Sequence, residues 1–150
     1  MLRHTIATLA YRGGKVLRDA PPGFSDYRAA PTSRSAGEIL AHMGDLMDWA
    51  ASIAEGQQAW KNSPLQDWDA DVDRFFAALG RLDTAVAGGI RGGTAEKLFQ
   101  GPVADALTHV GQLAMLRRLA AVPIKSENYY VADIVEGRVG REQASPRAEF

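Results

Sequence analysis

The sequence contains no cysteine. That absence excludes disulfides, thiolate metal ligands and a thiol nucleophile, so any thiol chemistry would need a small-molecule thiol from outside. Neither sign of charge is in surplus: 17 lysines and arginines stand against 18 aspartates and glutamates, a net charge of −1. A nucleic-acid-binding face draws on a basic excess, and there is none. No apolar run approaches the roughly 18 residues of a membrane span, and no sustained apolar segment follows the N-terminus. The expected setting is cytoplasmic, with neither nucleic acid nor membrane as partner. Internal repeats and low-complexity tracts are lacking too. Gly88-Gly89 and Gly92-Gly93 are not followed by Lys-Ser/Thr, which excludes a phosphate-binding loop, and no G-x-S-x-G elbow occurs.

What is present reads as helix. At 150 residues the chain is most simply one domain with a sizeable core. Leu2, Ile6, Leu9 and Val16 recur at helical spacing and predict a first helix from Leu2 to Leu17, with Gly13 permitting close backbone approach. His4 shares the face of Thr8, Tyr11 and Lys15 and is expected in solvent. Pro21-Pro22-Gly23 stops this helix. Ser35-Ala36-Gly37-Glu38 reads as a capping box opening a second helix. Ile39, Met43, Leu46 and Ala50 form its apolar stripe, with His42 on the flank near Trp49 and Ile53. A third helix is expected to start at Ser63, with Pro64 at its first position and Gln66 completing another capping box. Trp68, Val72, Phe75, Leu79, Leu82 and Val86 then give a bundle seam that ends at Gly88-Gly89. A short helical turn is expected around residues 95–99.

The stretch Gly101-Pro102-Val103-Ala104-Asp105-Ala106-Leu107-Thr108-His109-Val110-Gly111-Gln112 carries the chemistry. Gly101 as N-cap and Pro102 as first residue would open a fourth helix reaching to about Ala120. Asp105 and His109 stand at i and i+4, so both project from one face, a spacing that can grip a divalent cation. Two ligands make a weak site. His42 is the best candidate for the third, and Asp45, one turn on, is a neighbouring acid for solvent or a supporting role. Gln112, one turn beyond His109, could orient that imidazole or touch a substrate. The fourth helix is apolar on two sides, Val103, Leu107, Val110 and Ala114 on one and Leu113, Leu116 and Leu119 on the other. One side therefore needs cover, either from Tyr129, Tyr130, Val131 and Ile134 or from a second copy of the chain in a homodimer. Gly137, Gly140 and Pro146 suggest a loosely held end.

At these residues the chain resembles the DinB/YfiT-like metalloenzymes, four-helix proteins with one histidine on the second helix and an H-x-x-x-H pair on the fourth. His42 matches the second-helix ligand. His109-Val110-Gly111-Gln112 matches the final histidine and the x-Gly-Gln that commonly follows it, and Asp105 replaces the first histidine of the pair. The resemblance spans roughly residues 1–120. It implies an all-α four-helix bundle, which agrees with the helical pattern over residues 1–122. Residues 123–150 are expected, from their own apolar residues, as an extension packed on the bundle or on a partner subunit, one domain in all.

Two functions follow as expectations. In one, His42, Asp105 and His109 hold a divalent metal beside a small-molecule substrate, and the metal activates water or, as the resemblance implies, an external low-molecular-weight thiol. Trp49, Asp45 and Gln112 would then support the site or the substrate. Zinc or nickel suits the imidazoles, and the aspartate admits manganese or iron. In the other, the site is vestigial and the bundle is a binding or dimerisation module. Asp105 would then be an acid favoured near a helix N-terminus, and His109 a satisfied core histidine. No residue is singled out as a proton donor or nucleophile.

Overall fold

The computed structural model describes residues 1–150. The chain is all-α, a four-helix bundle with no β-strand. Its long helices are α1 (Leu2–Leu17), α2 (Ala36–Ala54) and α3 (Trp68–Ala87), and the fourth is assembled from three pieces. These are α4 (Ala95–Leu98), a π-helical turn (Phe99–Val103) and α5 (Ala104–Leu119). α1 packs on α3 and α5, and α2 packs on the same two, so the four close into a ring. The α1–α3 groove and the α2–α5 groove lie on opposite sides.

The apolar stripes meet inside that ring. Ile6, Leu9, Leu40, Met43, Met47, Phe75, Leu79, Leu82 and Leu113 are fully buried, and burying each such side chain is worth about 1.5–3 kcal/mol. Gly13 lets α1 approach α3: a Cβ there would lie 3.1 Å from Cε1 of Phe75. α2 begins at the expected capping box, with Ser35 Oγ accepting the Glu38 N–H (3.2 Å) and the Glu38 carboxylate accepting the Ser35 N–H (2.7 Å).

Two helix starts differ from the sequence reading. α3 begins at Trp68, capped by Asp67, whose carboxylate accepts the Ala70 N–H. Ser63, Pro64 and Gln66 lie outside it in an extended loop, because their partners are tertiary. The Ser63 N–H is given to the buried Asp45, and the Gln66 N–H goes to Asp71. The fourth helix starts at Thr94, whose hydroxyl caps Lys97, and not at Gly101. Pro102 is buried inside the π-helical turn. A proline there offers no N–H and its ring would strike the carbonyl four residues back, so the helix widens by one residue instead of ending.

The C-terminal segment is held firmly, contrary to the loose end expected, and its side-chain bonds go to α1 and α3. Residues 126–128 and 148–150 are clasped by Asn128 N–H to the Ala148 carbonyl and Phe150 N–H to the Ser126 carbonyl. The segment docks on α1 and α3 because the charges direct it there. Glu127 receives hydrogen bonds from Tyr11 Oη (2.6 Å) and Lys15 Nζ (2.7 Å), and Lys15 also reaches Glu149 (2.9 Å). Arg141 grips Asp69 and Asp73 of α3, and Val139 joins the core. His4 is exposed as expected, whereas Tyr11 and Lys15, on the same face, are buried under this segment. On α5, Val103, Ala106, Val110, Leu113 and Leu116 are buried, while Met115 and Leu119 stay exposed. A cavity of about 450 Å³ remains between α1, α3 and the segment, beside Lys15, Trp68, Phe76 and Arg141.

Candidate metal centre

His42 lies midway along α2 and His109 midway along α5, and the packing of these two helices sets the rings at a centroid distance of 5.1 Å. Asp105, one turn before His109, faces both. Its Oδ1 is 3.5 Å from His109 Nε2 and its Oδ2 is 3.8 Å from His42 Nε2. One ligand atom from each of the three residues falls within 4.8 Å of the others. Metal–ligand bonds of about 2.1 Å place tetrahedral donors roughly 3.4 Å apart, so the donor set fits a divalent cation after small side-chain adjustment. Exposure is graded across the site: the side chain of His109 is 9 % accessible, that of His42 22 % and that of Asp105 48 %. Access from solvent is thus on the Asp105 side.

The protonation states suit ligation. His109 Nδ1 lies 2.9 Å from Gln112 Oε1. With Nδ1–H donating to that amide oxygen, the Nε2 on the Asp105 side would be free to bind a metal. Burial lowers the His42 pKa below its ordinary 6.5, and the Arg34 charge and neighbouring His109 add to this, against the opposite pull of Asp105 and Asp45. His42 is therefore a neutral imidazole at neutral pH, the form that binds metal. Asp105 has no salt bridge to lysine or arginine, and its only other side-chain contact is Thr108 Oγ1 at 3.4 Å. It does not sit at a free helix end. The Ala104 N–H is taken by Phe99 and Gly101 carbonyls of the π-helical turn, and the helix begins at Thr94.

The supporting residues divide. Gln112 touches His109 as the sequence suggested. Trp49 stands at one remove, edge-to-face with Trp60 at 5.6 Å. Asp45 is buried, not solvated, and its carboxylate is spent on Arg74 Nη1 (2.9 Å) and the Ser63 N–H (3.3 Å). Arg74 continues to the Ala41 carbonyl (2.6 Å), crossing directly over Gly44.

Sequence reasoning missed Trp60. Its ring lies 5.9 Å from that of His42, edge-to-face, and the residue is 44 % exposed. It comes from the irregular loop after α2, so no periodicity marked it. Nor does the cavity under the C-terminal segment touch this centre: it shares none of these residues, and Lys15 and Arg141 beside it are already ion-paired. No family model, curated protein or solved structure matches the chain.

Proposed function

We propose that the chain is a divalent-metal-dependent enzyme of the DinB-like type, with the metal held by His42, Asp105 and His109. The observation that carries this reading is the convergence of two imidazoles and one carboxylate from two helices within 4.8 Å. The exposed carboxylate has no lysine or arginine partner to account for its position. Two neutral imidazoles and one carboxylate leave a divalent site at +1. Such a metal lowers the pKa of a bound water, or favours the thiolate of an external small thiol. Around it, Gln112 holds the His109 tautomer, burial and Arg34 keep His42 neutral, and Asp105 supplies the charged ligand on the accessible side. The mixed donor set supports manganese or iron beside zinc and nickel.

Elemental analysis of protein purified without a nickel column tests the reading. We expect one equivalent of a transition metal, or its uptake on incubation, and loss of that metal in His109→Ala. Wild-type protein that takes up none of zinc, nickel, manganese or iron would return the bundle to the class of binding modules.

A further inference from the structure

Beside the candidate metal ligands the chain spends several buried polar groups on holding one indole at the surface. The loop over residues 57–67 is fastened on both sides of Trp60. Ser52, buried on α2, accepts the Ala59 N–H (3.0 Å) and lies 3.2 Å from the Ala59 carbonyl, fixing the residue next to Trp60. Three residues beyond Trp60, the Ser63 N–H is held by Asp45, which Arg74 holds in turn. Within the loop, Trp60 Nε1 donates to Asn62 Oδ1 (3.1 Å), so the polar end of the indole is already satisfied.

The core does not explain this arrangement. Trp60 keeps 44 % of its surface exposed, so it gains only part of the stabilisation a buried indole would give. What the two fastenings accomplish is a position. The ring is set edge-to-face against His42 (5.9 Å) and against Trp49 (5.6 Å), which leaves a partly exposed apolar wall beside His42. Opposite charge is also laid out there. A divalent site with two imidazoles and one carboxylate carries +1, and Arg34, close enough to act on His42, has no carboxylate within salt-bridge distance. A metal-binding group beside a positively charged site is favoured when it is anionic, and a wall of two indoles favours a flat apolar body next to it.

We propose that Trp60 is the specificity-determining wall of the centre, and that the site accepts planar aromatic molecules bearing an anionic oxygen donor. This inference rests on the metal reading, and the test separates the two. The full chain is loaded with cobalt(II), and benzohydroxamate and acetohydroxamate are titrated while the visible cobalt spectrum and indole fluorescence are followed. The two probes share their chelating group and differ in a phenyl ring against a methyl. We expect benzohydroxamate to bind roughly tenfold tighter, with quenching of indole emission. That preference should vanish in Trp60→Ala and persist in Trp60→Phe, with cobalt affinity unchanged in both. Cobalt bound with equal affinity for the two hydroxamates, or a preference that survives in Trp60→Ala, overturns the aromatic wall and leaves the metal reading standing. Failure of the wild type to bind cobalt and the other transition metals overturns the metal reading, and this inference with it.

Discussion

Lys15 and His109 are both buried on core helices, yet the polar groups around them are arranged differently. Lys15 lies in the groove between α1 and α3 and donates to Glu127 (2.7 Å) and Glu149 (2.9 Å), while Tyr11 donates to Glu127 (2.6 Å). Burial opposes its charge and the two carboxylates outweigh that opposition, so its pKa is raised. The Tyr11 hydroxyl is pushed up as well, by burial and then by its bond to Glu127. On the other side of the bundle, Asp105 lies 3.5 Å from His109 Nε2 and 3.8 Å from His42 Nε2, beyond ordinary hydrogen-bond length. The first cluster is complete in itself and serves as a fastening. The second gathers three possible ligand atoms within 4.8 Å without closing hydrogen bonds among them. Residue type does not separate them; the spacing does.

The contrast can be broken at either end. The largest effect should come from Glu127→Leu, which strands the Lys15 ammonium and the Tyr11 hydroxyl in a buried setting. Unfolding experiments should show a loss of about 3 kcal/mol, the lower end for a broken buried pair because Glu149 remains. Metal affinity should not move. A fall in both would mean that the two sides of the bundle are not independent.

Next is Asp105. Asp105→Ala should cost about 100-fold or more in metal affinity, since losing a ligand must exceed the 10–100-fold typical of supporting residues. Its effect on the melting point of the metal-free protein should be small, because an exposed carboxylate is removed. Asp105→His should keep binding and shift preference toward zinc and nickel over manganese. Isothermal titration with each metal decides this, and equal binding by all three proteins would remove Asp105 from the site.

Gln112→Leu should have a smaller consequence, about tenfold in metal affinity with stability nearly unchanged, because it frees the His109 ring without removing it. Affinity equal to wild type would reduce the 2.9 Å contact to a surface hydrogen bond.

The smallest difference is one of acid sensitivity. The folded pKa of His42 lies below its ordinary 6.5, so the metal-free fold takes up that proton less readily than the unfolded chain. Its contribution to stability is present above 6.5 and is lost gradually as pH falls through the folded value. Glu149 is depressed by its Lys15 hydrogen bond from an ordinary 4.5, so its contribution is present above 4.5 and lost only below that. Stability of the metal-free protein should therefore start to fall below pH 6.5, and detachment of the C-terminal segment, read by limited proteolysis, should set in only below pH 4.5. Detachment already complete above pH 4.5 would contradict the Glu149 assignment.

Much of this was legible along the chain. The seams of α1, α2 and α3 and the Ser35 cap depend on neighbours within a turn or two, and the i, i+4 pair of Asp105 and His109 is local as well. The misread helix starts have different causes. Ser63-Pro64 and Gly101-Pro102 carry good starting signals, but a buried aspartate on α2 claims the first and a widened helical turn absorbs the second. The docking of the C-terminal segment depends on pairs 112 and 134 residues apart, which no local pattern encodes. Trp60 was invisible for a related reason: its place follows from the Ser52 and Asp45 contacts that route its loop.

Gly44 touches none of the ligands, yet a mutational scan for metal binding should count it among the functional positions. Its missing side chain is the channel through which the Arg74 guanidinium passes; a Cβ there would sit 2.7 Å from Cζ of that arginine. An alanine there should push the guanidinium end of Arg74 aside, weakening its bond to Asp45 and with it the hold on Ser63. The disturbance then travels along the loop to the indole beside His42. Sequence drift at this one position would be written into the ligand selectivity of a centre it never contacts.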